Sequence, residues 1–178
     1  MIMNRFHALC AALGCVGCAS HPITTTKTID LPRYMGSCYV IACLDNAVER
    51  KFIDPVESYE LRPDKRTINV DFHWREGSFE APLKQHAFTG TVRDVGTNAH
   101  WKMKLFPLFA ASYIIMDTGP RYEWATVAHP SRKFGWILSR NPSMKDDEYH
   151  LLLEQFAAAG YDTGKFIRLP HHGAVGAH

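Results

Sequence analysis

Thr67-Ile-Asn-Val-Asp-Phe-His-Trp74 alternates without a break: Thr67, Asn69, Asp71 and His73 are polar, whereas Ile68, Val70, Phe72 and Trp74 are apolar. Successive side chains of a strand point to opposite faces, so this stretch is a strand with one buried and one wet face. Residues 100–105 repeat the pattern, with Trp101, Met103 and Leu105 opposed to His100, Lys102 and Lys104. Working outward, shorter apolar runs occupy residues 38–44, 56–61, 87–92, 113–116, 122–128 and 134–138. Turn chemistry separates them: Pro63-Asp64, Glu76-Gly77, Gly96-Thr97-Asn98, Gly119-Pro120 and Pro130-Ser131. The spacing predicts a meander of eight antiparallel strands. Closing such a sheet removes its exposed edges and leaves an interior that either packs solid or holds one small ligand, while a sandwich satisfies the same pattern.

One helix follows the strands. Asn141 is placed to cap it, Pro142 to open it, Asp146, Asp147 and Glu148 to meet the positive end of its dipole, and Gly160 to end it. Tyr149, Leu152, Leu153 and Phe156 recur at helical spacing and form a stripe suited to packing against the outside of the sheet. A short strand at 165–169 can extend the sheet edge.

The chain has 178 residues, 46% hydrophobic and 21% charged, which is the composition of one globular domain. Its 20 Lys+Arg against 18 Asp+Glu give a formal charge of +2 without any block of like charge, and nucleic acid is excluded as an expected partner. Three of the five cysteines, Cys10, Cys15 and Cys18, lie at the N-terminus. There, Arg5 is followed by an apolar run from Phe6 to Gly17 that ends in small residues, the layout of a signal peptide and too short to span a bilayer. Gly17-Cys18-Ala19-Ser20 resembles the cleavage region of a bacterial lipoprotein signal, with Gly14-Cys15 as the competing position and an ordinary secretory signal as the plainer alternative. This reading makes residues 1–17 a signal peptide and Cys18 (alternatively Cys15) the lipidated residue. Residues 18–29 become a flexible Thr-rich linker, 30–169 the domain and 170–178 a disordered tail. Neither candidate cysteine is followed by Asp, which by resemblance to lipoprotein sorting implies the outer membrane, with the anchored domain facing the periplasm.

Leu31-Pro32-Arg33-Tyr34-Met35-Gly36-Ser37-Cys38-Tyr39 resembles the opening motif of lipocalins, and Trp136-Ile137-Leu138-Ser139-Arg140 the closing motif of their bacterial group. Asp117, Tyr122 and Ala125 resemble the middle motif, stretched at Gly119-Pro120; Gly160-Tyr161-Asp162 and Lys165-Phe166-Ile167 also match the bacterial group. The resemblance covers residues 30–169. It implies an all-β, eight-stranded antiparallel up-and-down barrel with one C-terminal helix packed outside. It further implies an outer-membrane lipoprotein that holds a fatty acid, such as palmitate, or a lysophospholipid. Gly36, Cys38 and Arg140 would form the barrel floor. Cys38 stands where the family carries a Trp that stacks on the Arg, an interaction worth about 0.5–2 kcal/mol. Refilling of that volume by an aromatic such as Tyr34 is the expected compensation, a deeper pocket the alternative.

With Cys38 inward, alternation puts Val40 and Ala42 inside too, and adds Val70, Phe72, Trp74, Trp101, Met103 and Trp136 to an apolar lining for an acyl chain. Glu57, Tyr59, Lys84 and His86 fall on the same parity; Lys84 with His86 is suited to an anionic head group, unless a bulge turns the strand outward. Neither a phosphate loop, a dinucleotide loop, a nucleophile elbow nor a zinc-binding helix motif is present, so no cofactor or metal is expected. Cys38 and Cys43 are too far apart along one strand to bond to each other. The expected role is therefore non-enzymatic lipid binding, as a membrane-anchored monomer or homodimer. The alternatives are a thiol-dependent isomerase using Cys38 and a structural envelope protein with a solid barrel.

Overall fold

The computed structural model describes residues 22–25 and 27–173. After a four-residue helix, α1 (Leu31–Tyr34), eight strands run in sequence: β1 (Gly36–Leu44), β2 (Phe52–Leu61), β3 (Thr67–Glu76), β4 (Lys84–Val92), β5 (His100–Phe106), β6 (Phe109–Thr118), β7 (Trp124–Ala128) and β8 (Gly135–Ser139). Helix α2 (Asp146–Ala158) and a short strand β9 (Phe166–Arg168) follow. Every neighbouring strand pair is antiparallel, and β1 pairs with both β8 and β2, so the sheet closes into an up-and-down barrel. The alternating face of β3 behaves as its sequence dictates: Ile68 and Val70 are buried, and Phe72 packs against the same inner cluster.

The barrel has two cores. One fills its closed end, around Trp101, Tyr113, Ile115 and Val127, and the other lies between the wall and the apolar face of α2, where Tyr149, Leu152 and Phe156 are buried. An extra residue separates the cores on β1. The register against β8 shifts between Val40 and Ala42, so two β1 residues there face one interval of the partner. Cys38, Val40 and Cys43 consequently belong to the inner core, while Ile41, Ala42 and Leu44 belong to the core under the helix. This corrects the inward placement of Ala42, since strict alternation fails at a bulge.

Strands β1 and β2 pair only at one end, Gly36–Tyr39 against Val56–Tyr59. Above that point β9 lies along β1, with Ala42 opposite Arg168 and Leu44 opposite Phe166. The chain then crosses to β2: Leu169 donates from its amide to the Ile41 carbonyl at 2.9 Å, and the Asp54 amide donates to the Pro170 carbonyl at 2.8 Å. His171 is buried, donating from Nε2 to the Val40 carbonyl at 2.9 Å and lying 3.2 Å from an Asp54 carboxylate oxygen. The seam of the barrel is therefore finished by the C-terminal segment. The ordered domain extends past residue 169 to this contact, instead of ending in a tail at 170; residues 174–178 lie outside the described residues.

Two further boundaries differ from the sequence expectation. Helix α2 begins at Asp146, not near Asn141, because residues 141–145 are spent carrying Met144 into the core under the helix. Its start has no side-chain cap, and the acids Asp146, Asp147 and Glu148 supply the negative charge that the first turn favours. The linker is also shorter than expected. Ile29 is fully buried, bonded through its amide to the Thr97 carbonyl at 2.7 Å, and Lys27 pairs with Asp117 at 2.8 Å. The signal region and both candidate anchor cysteines, Cys15 and Cys18, lie outside the described residues.

Candidate ligand cavity

The two ends of the barrel are built differently. At the closed end, Gly36 adopts φ +97, a conformation that costs side-chain-bearing residues, and a Cβ there would stand 3.3 Å from the Arg140 guanidinium. Arg140 converges on the backbone, donating to the carbonyls of Ser37 and Tyr34 at 2.7 Å each and of Met35 at 2.8 Å. It thereby holds the N-terminal turn across the floor. Tyr34 enters from that turn and is buried edge-on against Trp101, with ring centroids 5.2 Å apart; Trp101 in turn stacks on Tyr113. The three phenols of Tyr34, Tyr113 and Tyr59 form a chain of hydrogen bonds, 2.9 and 2.8 Å long, which continues from Tyr59 to the Glu57 carboxylate. Cys38 is buried among them. Aromatic side chains thus fill the floor beside the small thiol.

Above this floor the interior is open. A cavity of about 510 Å³ is enclosed by Val40, Phe72, Phe88, Met103 and Leu105, widening toward the mouth between Trp74, Phe106, Phe134 and Trp136. That volume lies within the range of small-molecule sites and accommodates a single aliphatic chain. Its aromatic walls are ordered by mutual contact: Phe72 stacks on Trp74 at 4.9 Å, and Phe52 closes on Trp74 at 5.1 Å. The rim is apolar as well. Leu108 is fully exposed at the tip of the β5–β6 hairpin, between the exposed Phe106 and Phe109, and Val48 and Phe134 of the cavity lining are exposed as well.

Two carboxyl groups face this apolar space. Glu57 projects from β2, deep in the cavity, cross-strand from Cys38 and Phe72. Burial pushes its carboxyl up to about 7, with the Glu49 charge adding to the rise and the Tyr59 hydrogen bond opposing it. Its Oε2 accepts from Tyr59, whereas Oε1 has no hydrogen-bond partner among the described residues. Glu49, in a 3-10 turn between β1 and β2, sits nearer the mouth and accepts from Trp136 Nε1 at 3.0 Å and Asn46 Nδ2 at 2.6 Å. Burial raises its carboxyl too, against those hydrogen bonds. No lysine or arginine is among the described residues lining the cavity.

Of the residues the sequence singled out, Val40, Glu57, Phe72, Trp74, His86, Met103 and Trp136 line the cavity. Tyr59, Val70 and Trp101 are buried one layer deeper, in the floor. Lys84 shares the parity of His86 but stands at the end of β4, where it turns to solvent and pairs with Glu76. His86 does not join it. Its Nε2 donates to the Leu105 carbonyl at 2.8 Å, and its ring lies against Phe88 and Phe106. The anion-binding pair expected from Lys84 and His86 is thus absent, because a charge at a strand end reaches water more cheaply than it enters an apolar cavity. The sequence reading missed Glu49, whose turn has no periodicity to place it. The reactive-thiol alternative also loses its premise. Burial pushes the Cys38 thiol up to about 11 despite Arg140 nearby, and Cys43 is raised further by burial and the neighbouring Glu49. Both are free and buried.

A family model described as a lipocalin-like domain matches residues 29–171. Outer membrane lipoprotein Blc of Escherichia coli K12 is 30% identical over 173 residues, covering 94% of this chain and 96% of that protein. Temperature-induced lipocalin-1 of Arabidopsis thaliana is 28% identical over 152 residues, covering 81% of this chain and 80% of its own. Among solved structures, insecticyanin from the tobacco hornworm Manduca sexta superposes with a TM-score of 0.62 at 18% identity, over 85% of this chain and 86% of that one. Apocrustacyanin C2 gives 0.63 at 15% identity, over 85% and 91%.

Proposed function

From the premise that this chain is a bacterial member of the lipocalin family, whose barrel binds a ligand, we propose that it is a lipid-anchored outer-membrane protein holding one single-chain lipid, a fatty acid or a lysophospholipid, for storage or transport in the cell envelope. The observation that carries this reading is the apolar, aromatic-walled cavity of about 510 Å³. Each methylene moved from water into it contributes about 0.8 kcal/mol, so a chain of about sixteen carbons supplies about 13 kcal/mol, and subtracting about 4 kcal/mol for the entropy of association leaves enough for micromolar binding. The apolar rim supports loading from a lipid surface, because a chain leaving a bilayer crosses Leu108, Phe106 and Phe134 without full exposure to water. Anchoring through Cys18, or Cys15, with the barrel in the periplasm is supported by the N-terminal sequence, and the Blc relatives are themselves named outer membrane lipoproteins. A role in binding, not turnover, is supported by the raised thiol of Cys38, the one nucleophile among the candidates.

Titration of the soluble domain with a fluorescent acyl probe, and displacement by lysophospholipid, tests the binding. Saturable uptake at one lipid per barrel is expected; no saturable binding of any single-chain lipid overturns the reading. Mass spectrometry of the intact protein from membranes tests the anchor, a lipid-modified cysteine at the new N-terminus being the expected product.

A further inference from the structure

The polar groups of the cavity are the wrong ones for an anionic ligand. Glu57 and Glu49 both face it, and no ammonium or guanidinium does so among the described residues. The His86 imidazole, also in the lining, is turned with Nε2 to the Leu105 carbonyl. A ligand carboxylate placed here would add a third acid beside Glu57, whose ionisation the Glu49 charge already disfavours. A nitrogen cation does the reverse. It meets an acceptor with nothing to accept, Glu57 Oε1, and it sits against ring faces that attract positive charge: Phe72, which is cross-strand from Glu57, and Trp74 stacked beside it. The depth of Glu57 matters equally. The mouth is rimmed by Phe106, Phe134 and Val48, so the polar acceptor lies inside and the apolar belt outside. That arrangement suits a ligand that enters polar end first and leaves its chain along the aromatic wall.

We propose that this cavity selects amphiphiles whose polar end is a protonated amine, held by the open oxygen of Glu57 with Glu49 nearer the mouth, and discriminates against the matching free carboxylate. This rests on the lipid-binding reading above, names the polar chemistry of the same site, and of the two lipid classes proposed there disfavours the fatty acid. Glu57 is here a specificity-determining residue. Its own hydrogen bond to Tyr59 fixes the carboxylate plane, and Tyr59 is fixed in turn by Tyr113.

The test compares three probes of one chain length, dodecylamine, dodecanol and laurate, each below its aggregation threshold at about pH 8, where the amine is protonated and the laurate ionised. The shift in emission of the cavity tryptophans Trp74 and Trp136, as an acyl chain changes the polarity around them, reads binding to the full folded domain. Dodecylamine is expected to bind at least about tenfold tighter than laurate, with dodecanol between them. Glu57→Gln is expected to erase the gap by weakening the amine and strengthening laurate, and an unaltered circular dichroism spectrum shows that the variant is folded. Glu49→Gln is expected to narrow the gap by a smaller factor. Laurate binding as tightly as the amine, or a gap that survives in Glu57→Gln, overturns this inference and leaves the lipid-binding reading standing. Failure of all three probes to bind overturns that reading instead.

Discussion

Replacing Glu57 by Gln should make the domain more stable in neutral and alkaline solution and leave it nearly unchanged in acid. The carboxyl is held at about 7 in the folded chain against an ordinary value of 4.5, burial being the main cause. The folded state therefore keeps its proton to higher pH than the unfolded chain does. Between those two values the unfolded chain binds fewer protons, so stability falls as pH rises. At 1.36 kcal/mol for each tenfold change in the proton equilibrium, the full excursion is roughly 3 kcal/mol, complete by about pH 8. Gln retains an oxygen for the Tyr59 hydroxyl and has no proton to lose, so its curve lacks this component. Glu49 slopes the same way in both proteins, so the difference between the curves isolates Glu57. Urea unfolding followed by tryptophan fluorescence between about pH 4 and 8 measures the difference directly. Parallel curves would refute the argument, since they would mean that Glu57 titrates in the folded protein as it does in water.

Three other predictions follow from the floor and the seam. Arg140→Ala strands the carbonyls of Tyr34, Met35 and Ser37 beside Gly36, and should cost about 2–4 kcal/mol in chemical denaturation, with Arg140→Lys recovering only part because an ammonium cannot span the three acceptors. Cys38 should resist iodoacetamide at neutral pH in the native protein and react once urea unfolds it, because its thiol is raised to about 11 and buried; rapid native alkylation would restore the thiol-enzyme alternative. His171→Ala should loosen the seam locally: amide exchange at Leu169 and Asp54 is expected to accelerate well ahead of that of the β3–β4 ladder, whereas uniform loss of protection would mean that the segment only adds to global stability.

Much of this was legible in the chain because a barrel wall is half wet. The alternation of residues 67–74 and 100–105 places Phe72, Trp74 and Met103 inward with no other information. The order of the strands follows from their short connections, and the bacterial lipocalin resemblance turns an open choice between barrel and sandwich into one. What escaped the sequence escaped for local reasons. Ala42 and Cys43 exchange faces because one inserted residue on β1 reverses parity, and nothing in Val40-Ile41-Ala42 marks a bulge. Lys84 obeys parity and still leaves the cavity, since strand ends give a long cation a way back to water. Glu49 lies in a turn, where spacing carries no direction, and its inward pose depends on Trp136 from the far end of the chain. His171 looked like tail because Gly-rich surroundings read as disorder, yet its ring satisfies the carbonyl that the parting of β1 and β2 exposes.

The seam also sets an order of events for a nascent chain. Strand β1 is among the first parts of the domain to be made, yet its partners beyond β2 are β8, β9 and His171, the last of these 131 residues after the Val40 whose carbonyl it caps. Contacts that distant form late, and they are incomplete until residue 171 has been synthesised. Until then β1 stays an open edge and the barrel stays unclosed. Under the proposed envelope reading, in which the chain crosses a membrane before it folds, this delay is useful and is written into the topology: β1 waits for β8, β9 and His171.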